Sequence, residues 1–236
     1  MPPNHIAQQL ADVGAALLAP ADLRGLLGFD DCEWASFAAH WEHLAADPYA
    51  AELGTRRLRR YGHFAFRPAE RTFDPVACRA FIQPENSNPL YIDTDRHFES
   101  LTDGFAKDQL LQRILALLGD VATPLDDAST WDAKVTPFRV LASTGDAGQP
   151  TPEGMHRDGV TLVTSLLIGR DNAVGGRSIV TDMAGEPILA TTLADPGTLL
   201  LGDDRRTLHG VSPIRPRDPS RPARRDVLVI TFAPSA

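Results

Sequence analysis

"VTLVTSLLIG", residues 160–169, is a short run dominated by Val, Thr, Leu and Ile and closed by Asp171-Asn172, a pair that accepts turn geometry. That texture fits a strand. The same texture recurs from about Trp131 onward, in "AKVTPFRVLAST" (133–144), "GRSIVTDM" (176–183), "PILATTL" (187–193), "GTLLLGD" (197–203), "TLHGVSP" (207–213) and "RDVLVITF" (225–232). Gly175-Gly176, Ala184-Gly185, Pro196-Gly197 and the Pro/Arg-rich "IRPRDPSRPARR" (214–225) divide the runs. No long helix intervenes, so the sheet is predicted to be largely antiparallel. Seven or eight such strands behind a helical layer predict a mainly β protein with N-terminal α structure. Its core would be a double-stranded β-helix, jelly-roll or cupin-like, with helices packed on one face. A Rossmann sheet is disfavoured, because strands do not alternate with helices and no glycine-rich strand-to-helix turn occurs.

Toward the N-terminus the period lengthens. Apolar residues recur at helical spacing in "IAQQLADVGAALL" (6–18), "PADLRGLLG" (20–28) and "WASFAAHWEHLAAD" (34–47), with Pro20 near a helix start. "RRLRRYGHFAFRP" (56–68) shortens the period toward two, and "VACRAFIQ" (76–83) reads as another strand before the loop "PENSNPLY". One long helix fits 103–125, with Leu110, Leu111, Ile114, Leu117 and Leu118 as a stripe suited to covering a sheet. The chain of 236 residues is thus expected to form one domain: a helical and partly β layer over 1–130, and a jelly-roll core over 131–236.

Composition narrows the partners. The formal net charge is −8 and the pI about 5.3, with arginines dispersed among acids, so a nucleic-acid or anionic-membrane surface is not expected. A small molecule is the expected partner. The first twenty residues lack a basic n-region, carry Asp12 within their apolar stretch, and no 18-residue apolar run follows, which reads as a cytoplasmic protein. The two cysteines, Cys32 and Cys78, are far apart and lack metal-type spacing; both are expected to be half-buried small residues.

The chemistry concentrates in three places. If "GMHRDG" (154–159) lies at a strand end, the two-residue period aims His156 and Asp158 to one face and Arg157 to the other. His209, in another short strand with Thr207 and Val211 on its own face, is the third candidate ligand. Two imidazoles and one carboxylate on one side of a metal leave the opposite positions open, an arrangement that points to non-haem Fe(II) oxygenases. His5, His40, His43, His63 and His97 have no partner at ligand spacing and read as surface or packing residues. In "RPARRDVLVITF" (221–232), alternation groups Arg225 with Val227, Val229 and Thr231, and Asp226 with Leu228, Ile230 and Phe232. A guanidinium on the inner face can grip a carboxylate through two parallel hydrogen bonds. Arg225 is the preferred anion clamp and Arg224 the alternative.

"TPEGMHRDG" (151–159), "PGTLLLGDDRRTLHGVSPI" (196–214) and "RRDVLVITF" (224–232) together resemble the bacterial 2-oxoglutarate- and Fe(II)-dependent dioxygenases that include L-isoleucine hydroxylase and related free amino-acid hydroxylases. The likeness spans roughly 133–232. It implies Fe(II) held by His156, Asp158 and His209, 2-oxoglutarate chelating the metal while Arg225 holds its far carboxylate, and O2 as oxidant. Succinate and CO2 would be released as an unactivated C–H bond is hydroxylated, with ascorbate a useful reductant in vitro; the protein supplies binding, orientation and exclusion of side reactions. The relatives suggest a free L-amino or imino acid as substrate. Its zwitterion needs a cation for the carboxylate and an acceptor for the ammonium, for which Arg139, Glu153 and Gln83 are candidates. Two other classes stay open: a metal-dependent hydrolase or isomerase on a cupin-like barrel, using the same ligands with a bound water, and a non-catalytic jelly-roll binding module.

Overall fold

The computed structural model describes residues 2–52, 54–76 and 96–235. Helix α1 (Pro3–Val13) and helix α2 (Pro20–Leu27) each carry proline in the first turn, where its missing N–H forfeits no hydrogen bond. A capping box between Asp30 and Glu33 starts α3 (Asp31–Ala38), and α4 (Pro48–Glu52) is short. The helix expected over 103–125 is divided into α5 (Asp103–Ala106) and α6 (Gln109–Ala122). Asp108 is the reason: its Oδ1 accepts the N–H groups of Leu110 at 2.8 Å and Leu111 at 3.3 Å, so a new helix begins there.

The run 6–18 also departs from its sequence reading. Helical spacing holds only to Val13, because Gly14 takes φ 91° and closes the helix on the Leu10 carbonyl. Residues Ala15–Leu18 then form an edge strand, β1, against Leu199–Gly202. A Cβ at Gly14 would stand 2.9 Å from Thr207 Cγ2, so the turn requires glycine twice over. Cys32 is exposed on the first turn of α3, correcting the half-buried expectation, and Cys78 lies outside the described residues.

The remaining strands are β2 (Ala45–Ala46), β3 (Arg56–Arg59), β4 (Gly62–Arg67), β5 (Thr72–Pro75), β6 (Trp131–Ala142), β7 (Leu162–Asp171), β8 (Ala173–Gly175), β9 (Arg177–Asp182), β10 (Pro187–Thr192), β11 (Leu199–Asp203), β12 (Thr207–Val211), β13 (Ile214–Pro216) and β14 (Ala223–Pro234). The larger sheet runs β1-β11-β7-β14-β6-β3-β2, with β4 pairing β6 and β5. A smaller sheet runs β10-β9-β12, and β13 pairs β8. Among the described residues every pair of these strands is antiparallel, and the architecture is the mainly β jelly roll that the sequence predicts.

Alternation sorts each long strand into two faces. On the outer face Leu228, Ile230 and Phe232 of β14, with Ala133 and Val135 of β6, meet Leu110, Leu111, Ile114 and Leu118 of α6 in the main core. Each such side chain contributes about 1.5–3 kcal/mol by burial. On the inner face Leu167, Leu200 and Val227 meet Val180 of the smaller sheet. The inner face is not packed solid. Between the sheets lies a cavity of about 410 Å³, and the candidate functional residues converge on it.

Candidate active site

His156 is not in a regular strand; it makes a single antiparallel bridge to His209 of β12. The His156 N–H donates to the His209 carbonyl at 3.0 Å, and the His209 N–H returns a bond of 2.8 Å. A directly opposed pair of this kind sends both side chains to one face, and the ring centroids are 4.4 Å apart. Asp158, two residues on, completes the group. His156 Nε2 is 3.9 Å from Asp158 Oδ1, His209 Nε2 is 3.8 Å from Asp158 Oδ2, and one ligand atom from each of the three lies within 4.8 Å of the others.

The opposite edges of both rings face oxygen. His156 Nδ1 is 3.0 Å from the Gly154 carbonyl, which can only accept, so Nδ1 carries a proton there and Nε2 is the atom turned toward Asp158. His209 Nδ1 is 3.5 Å from Asp204 Oδ1. Asp204 is fully buried and also accepts the backbone N–H groups of Asp158 (3.2 Å), Gly159 (2.8 Å) and Val160 (3.1 Å). One carboxylate thus anchors the loop bearing Asp158 and stands at ion-pair distance from His209, whose Nδ1 makes no hydrogen bond among the described residues. Burial disfavours the charged His209 ring, but Asp204, Asp158 and Glu153 outweigh it and hold its pKa above the usual histidine value. A divalent cation answers the same field.

Arg225 projects into this cavity from β14 with Val227, Val229 and Thr231, as the strand phase predicts. It is 1% exposed, and its Nε and Nη2 have no hydrogen-bond partner among the described residues. Burial, and then the like charge of Arg170, push its pKa down to about 10. Gly176 backs the arginine stem: its φ of 69° favours glycine, and a Cβ there would crowd Ile214 Cγ2 at 3.0 Å and touch Arg225 Cδ at 3.4 Å. The hydroxyl of Ser178, on the same strand face as the cavity-lining Val180, is also buried without a partner among the described residues. Arg224 points the other way, half exposed and 3.5 Å from Glu42.

The remaining sequence candidates divide. Glu153 lines the cavity with its Oε1 3.3 Å from His156 Nε2. Arg139 does not line it: on the outer face of β6 it pairs with Asp226 through two bonds of 2.8 Å and with Glu42. That position follows from alternation, since Phe138 and Val140 hold the inner face. Gln83 lies outside the described residues. Sequence reasoning missed Asp204, and also Lys134, Arg57, Arg59 and Arg96, all four of which line the cavity. The signal for two of them was present: in "RRLRR" a two-residue period puts Arg57 and Arg59 on one face. Lys134 has its pKa lowered by burial, against the opposing pull of Asp132 and Asp158.

Similarities to known proteins agree with this geometry. The sequence pattern of the family described as 2OG-Fe dioxygenase matches residues 38–231. The chain is 27% identical over 203 residues to the 3(1)-hydroxy-L-isoleucine 4-dioxygenase of Pantoea ananatis (strain AJ13355), covering 81% of this chain and 77% of that protein. Among solved structures, a bsmA homologue from Methylobium petroleophilum PM1 superposes with a TM-score of 0.90 at 34% identity, covering 100% of this chain and 94% of the other. IDO from Bacillus thuringiensis superposes with a TM-score of 0.83 at 17% identity, covering 99% and 100%, a likeness of fold.

Proposed function

We propose, from the premise that the chain belongs to the 2OG-Fe dioxygenase family and is a 2-oxoglutarate-dependent dioxygenase, that it hydroxylates a side-chain carbon of a free L-amino or imino acid. The observation that carries the dioxygenase chemistry of this reading is the convergence of His156, Asp158 and His209 on one cavity with Arg225, whose buried Nε and Nη2 have no partner among the described residues. The donor set fits Fe(II): two imidazoles and a carboxylate from one side. Bound there with 2-oxoglutarate and O2, iron supplies the oxidant for C–H hydroxylation, with release of succinate and CO2.

The protein's part is positional. His156 and His209 would present Nε2 lone pairs to the metal, their rings held by the Gly154 carbonyl and by Asp204, while Asp158 closes the third position. Arg225 would hold the far carboxylate of 2-oxoglutarate, an anion that answers its buried charge. Val180, Leu200, Val227 and Val229 line the cavity with hydrocarbon, which excludes water and deprives the oxidant of polar competitors. Glu153 would accept the substrate ammonium. A metal hydrolase or isomerase using the same ligands with a bound water would not require a dedicated arginine for a cosubstrate tail, and a binding module would show no Fe(II) dependence.

The name of the Pantoea relative supports an amino-acid substrate. No helix among the described residues is long and apolar enough to cross a membrane, and a cytoplasmic enzyme is part of the same reading. The test is incubation of the protein with Fe(II), ascorbate, 2-oxoglutarate and a panel of pipecolate, proline, leucine, isoleucine and citrulline. At least one is expected to give stoichiometric succinate and a product heavier by one oxygen. Turnover of only peptide-bound or carrier-bound aminoacyl groups would overturn the free amino-acid reading and leave the dioxygenase chemistry standing.

A further inference from the structure

Away from the ligand triad, the cavity wall carries a ladder of arginines and rings. Arg57 and Arg59 project inward from β3, Phe138 from β6, and Arg96 joins them from the segment ahead of α5. Arg59 and Arg96 are 3% and 4% exposed. The guanidinium carbon of Arg59 lies 3.5 Å from the centroid of the Phe98 ring and 4.8 Å from that of Phe138. Arg57 is 4.9 Å from the Phe138 centroid, and Arg96 is 5.8 Å from that of Phe98. Stacking of this kind fixes the plane of a guanidinium and directs its N–H groups sideways.

Arg57 is committed to the buried Asp47, with Nε 2.8 Å from Oδ2, so it braces the wall. Arg59 and Arg96 bring two further buried guanidiniums to the same wall, and a carboxylate has two oxygens to receive them. Burial, followed by the charge of Arg57, drives the pKa of Arg59 well down, and an anion at its edge relieves that cost. Arg139, the sequence candidate for this task, is held outside the cavity by Asp226 and Glu42.

We infer that Arg59, with Arg96 beside it, forms the subsite for the α-carboxylate of the substrate, on β3 and one row along from Arg225, since Arg59 is in register with Phe138 and Phe138 with Val227. The inference rests on the free amino-acid reading and deepens it. It makes the ladder a selector for acids over their neutral derivatives.

The test takes whichever panel amino acid the wild-type enzyme oxidises and pairs it with its primary carboxamide. Arg59→Met, Arg59→Lys and Arg96→Met are measured for KM and kcat with both compounds, for calorimetric Kd of the acid under anaerobic conditions, and for 2-oxoglutarate Kd and iron content. Arg59→Met is expected to raise KM and Kd for the acid on the order of ten- to a hundredfold, the loss of a charge-assisted bond. The carboxamide values, 2-oxoglutarate Kd and iron content should stay near wild type. Arg59→Lys should restore part of the acid preference. If Arg59→Met does not fold, Arg59→Lys and Arg96→Met carry the same comparison, each with a smaller loss of acid preference. An acid-to-amide ratio untouched in the folded variants overturns the subsite alone. A wild-type enzyme that oxidises no free amino acid overturns the subsite together with the reading beneath it.

Discussion

Arg139 and Arg225 are both buried, and they stand on neighbouring antiparallel strands of one sheet, yet their surroundings are opposite. On the outer face Arg139 meets Asp226 and Glu42, and those bonds outweigh burial to raise its pKa. On the inner face Arg225 meets Val227, the close backbone of Gly176 and the like charge of Arg170, and its pKa falls to about 10. A buried cation that already has its anion is part of the architecture. One that lacks it needs a ligand to complete it, and the same test applied to His156, Asp158 and His209 identifies a centre short of one cation.

The largest effects should come from breaking that centre. His156→Ala, Asp158→Ala and His209→Ala should each lower iron retention and 2-oxoglutarate turnover by more than the roughly 10–100-fold typical of changes outside the ligand shell. Iron content and succinate release measure this, and full activity in any one variant would remove that residue from the triad. Next comes the outer-face arginine. Arg139→Met leaves the carboxylate of Asp226, 7% exposed, without its buried partner and should cost about 3–5 kcal/mol of folding stability. Denaturant unfolding should show that loss, while 2-oxoglutarate Kd in the folded fraction stays near wild type. A large change in Kd without a loss of stability would erase the distinction between the two faces.

The inner-face arginine reads out in affinity. Arg225→Lys replaces a planar fork with a point charge and should weaken 2-oxoglutarate by roughly 1.5–3 kcal/mol, on the order of ten- to a hundredfold. Arg224→Lys, on the solvent side, should change it little. A larger effect at Arg224 would mean that the working phase of β14 is off by one residue.

What the sequence disclosed follows the range of the physics involved. Period-two alternation is local, so the inner and outer faces of 225–232 were legible, whereas His156 and Asp158 converge from a segment that forms no regular strand, and there the strand-end premise did not hold. The bridge between His156 and His209 is a contact between distant segments, and only the residue types hinted at it. Asp204 was invisible for a different reason. In "LGDDRRT" it looks like a turn residue, and its work is to accept N–H groups from a loop far away in sequence. Arg139 was misjudged because the alternation used on β14 was not carried to β6, where Phe138 already fixed the inner face. The break of 103–125 at Asp108 and the strand after Gly14 show that one capping residue can override a continuous helical period.

The smallest expected effect has the most informative sign. A cation whose folded-state pKa is depressed is held at a cost at every pH below about 10, where it is charged both folded and unfolded. Arg225→Met keeps much of the stem and removes that charge. In protein stripped of metal and 2-oxoglutarate, stability should therefore stay level or rise by up to about 1 kcal/mol, a shift of roughly 2–4 °C in Tm for a chain of this size. The opposite sign is expected once Fe(II) and 2-oxoglutarate are added anaerobically: the wild type gains stability from the bound pair, and the variant gains less because the far carboxylate has lost its partner. Thermal unfolding with and without the pair measures both halves. A drop of several degrees in the stripped variant would mean that Arg225, like Arg139, is satisfied from within, and the contrast between the two faces would be lost.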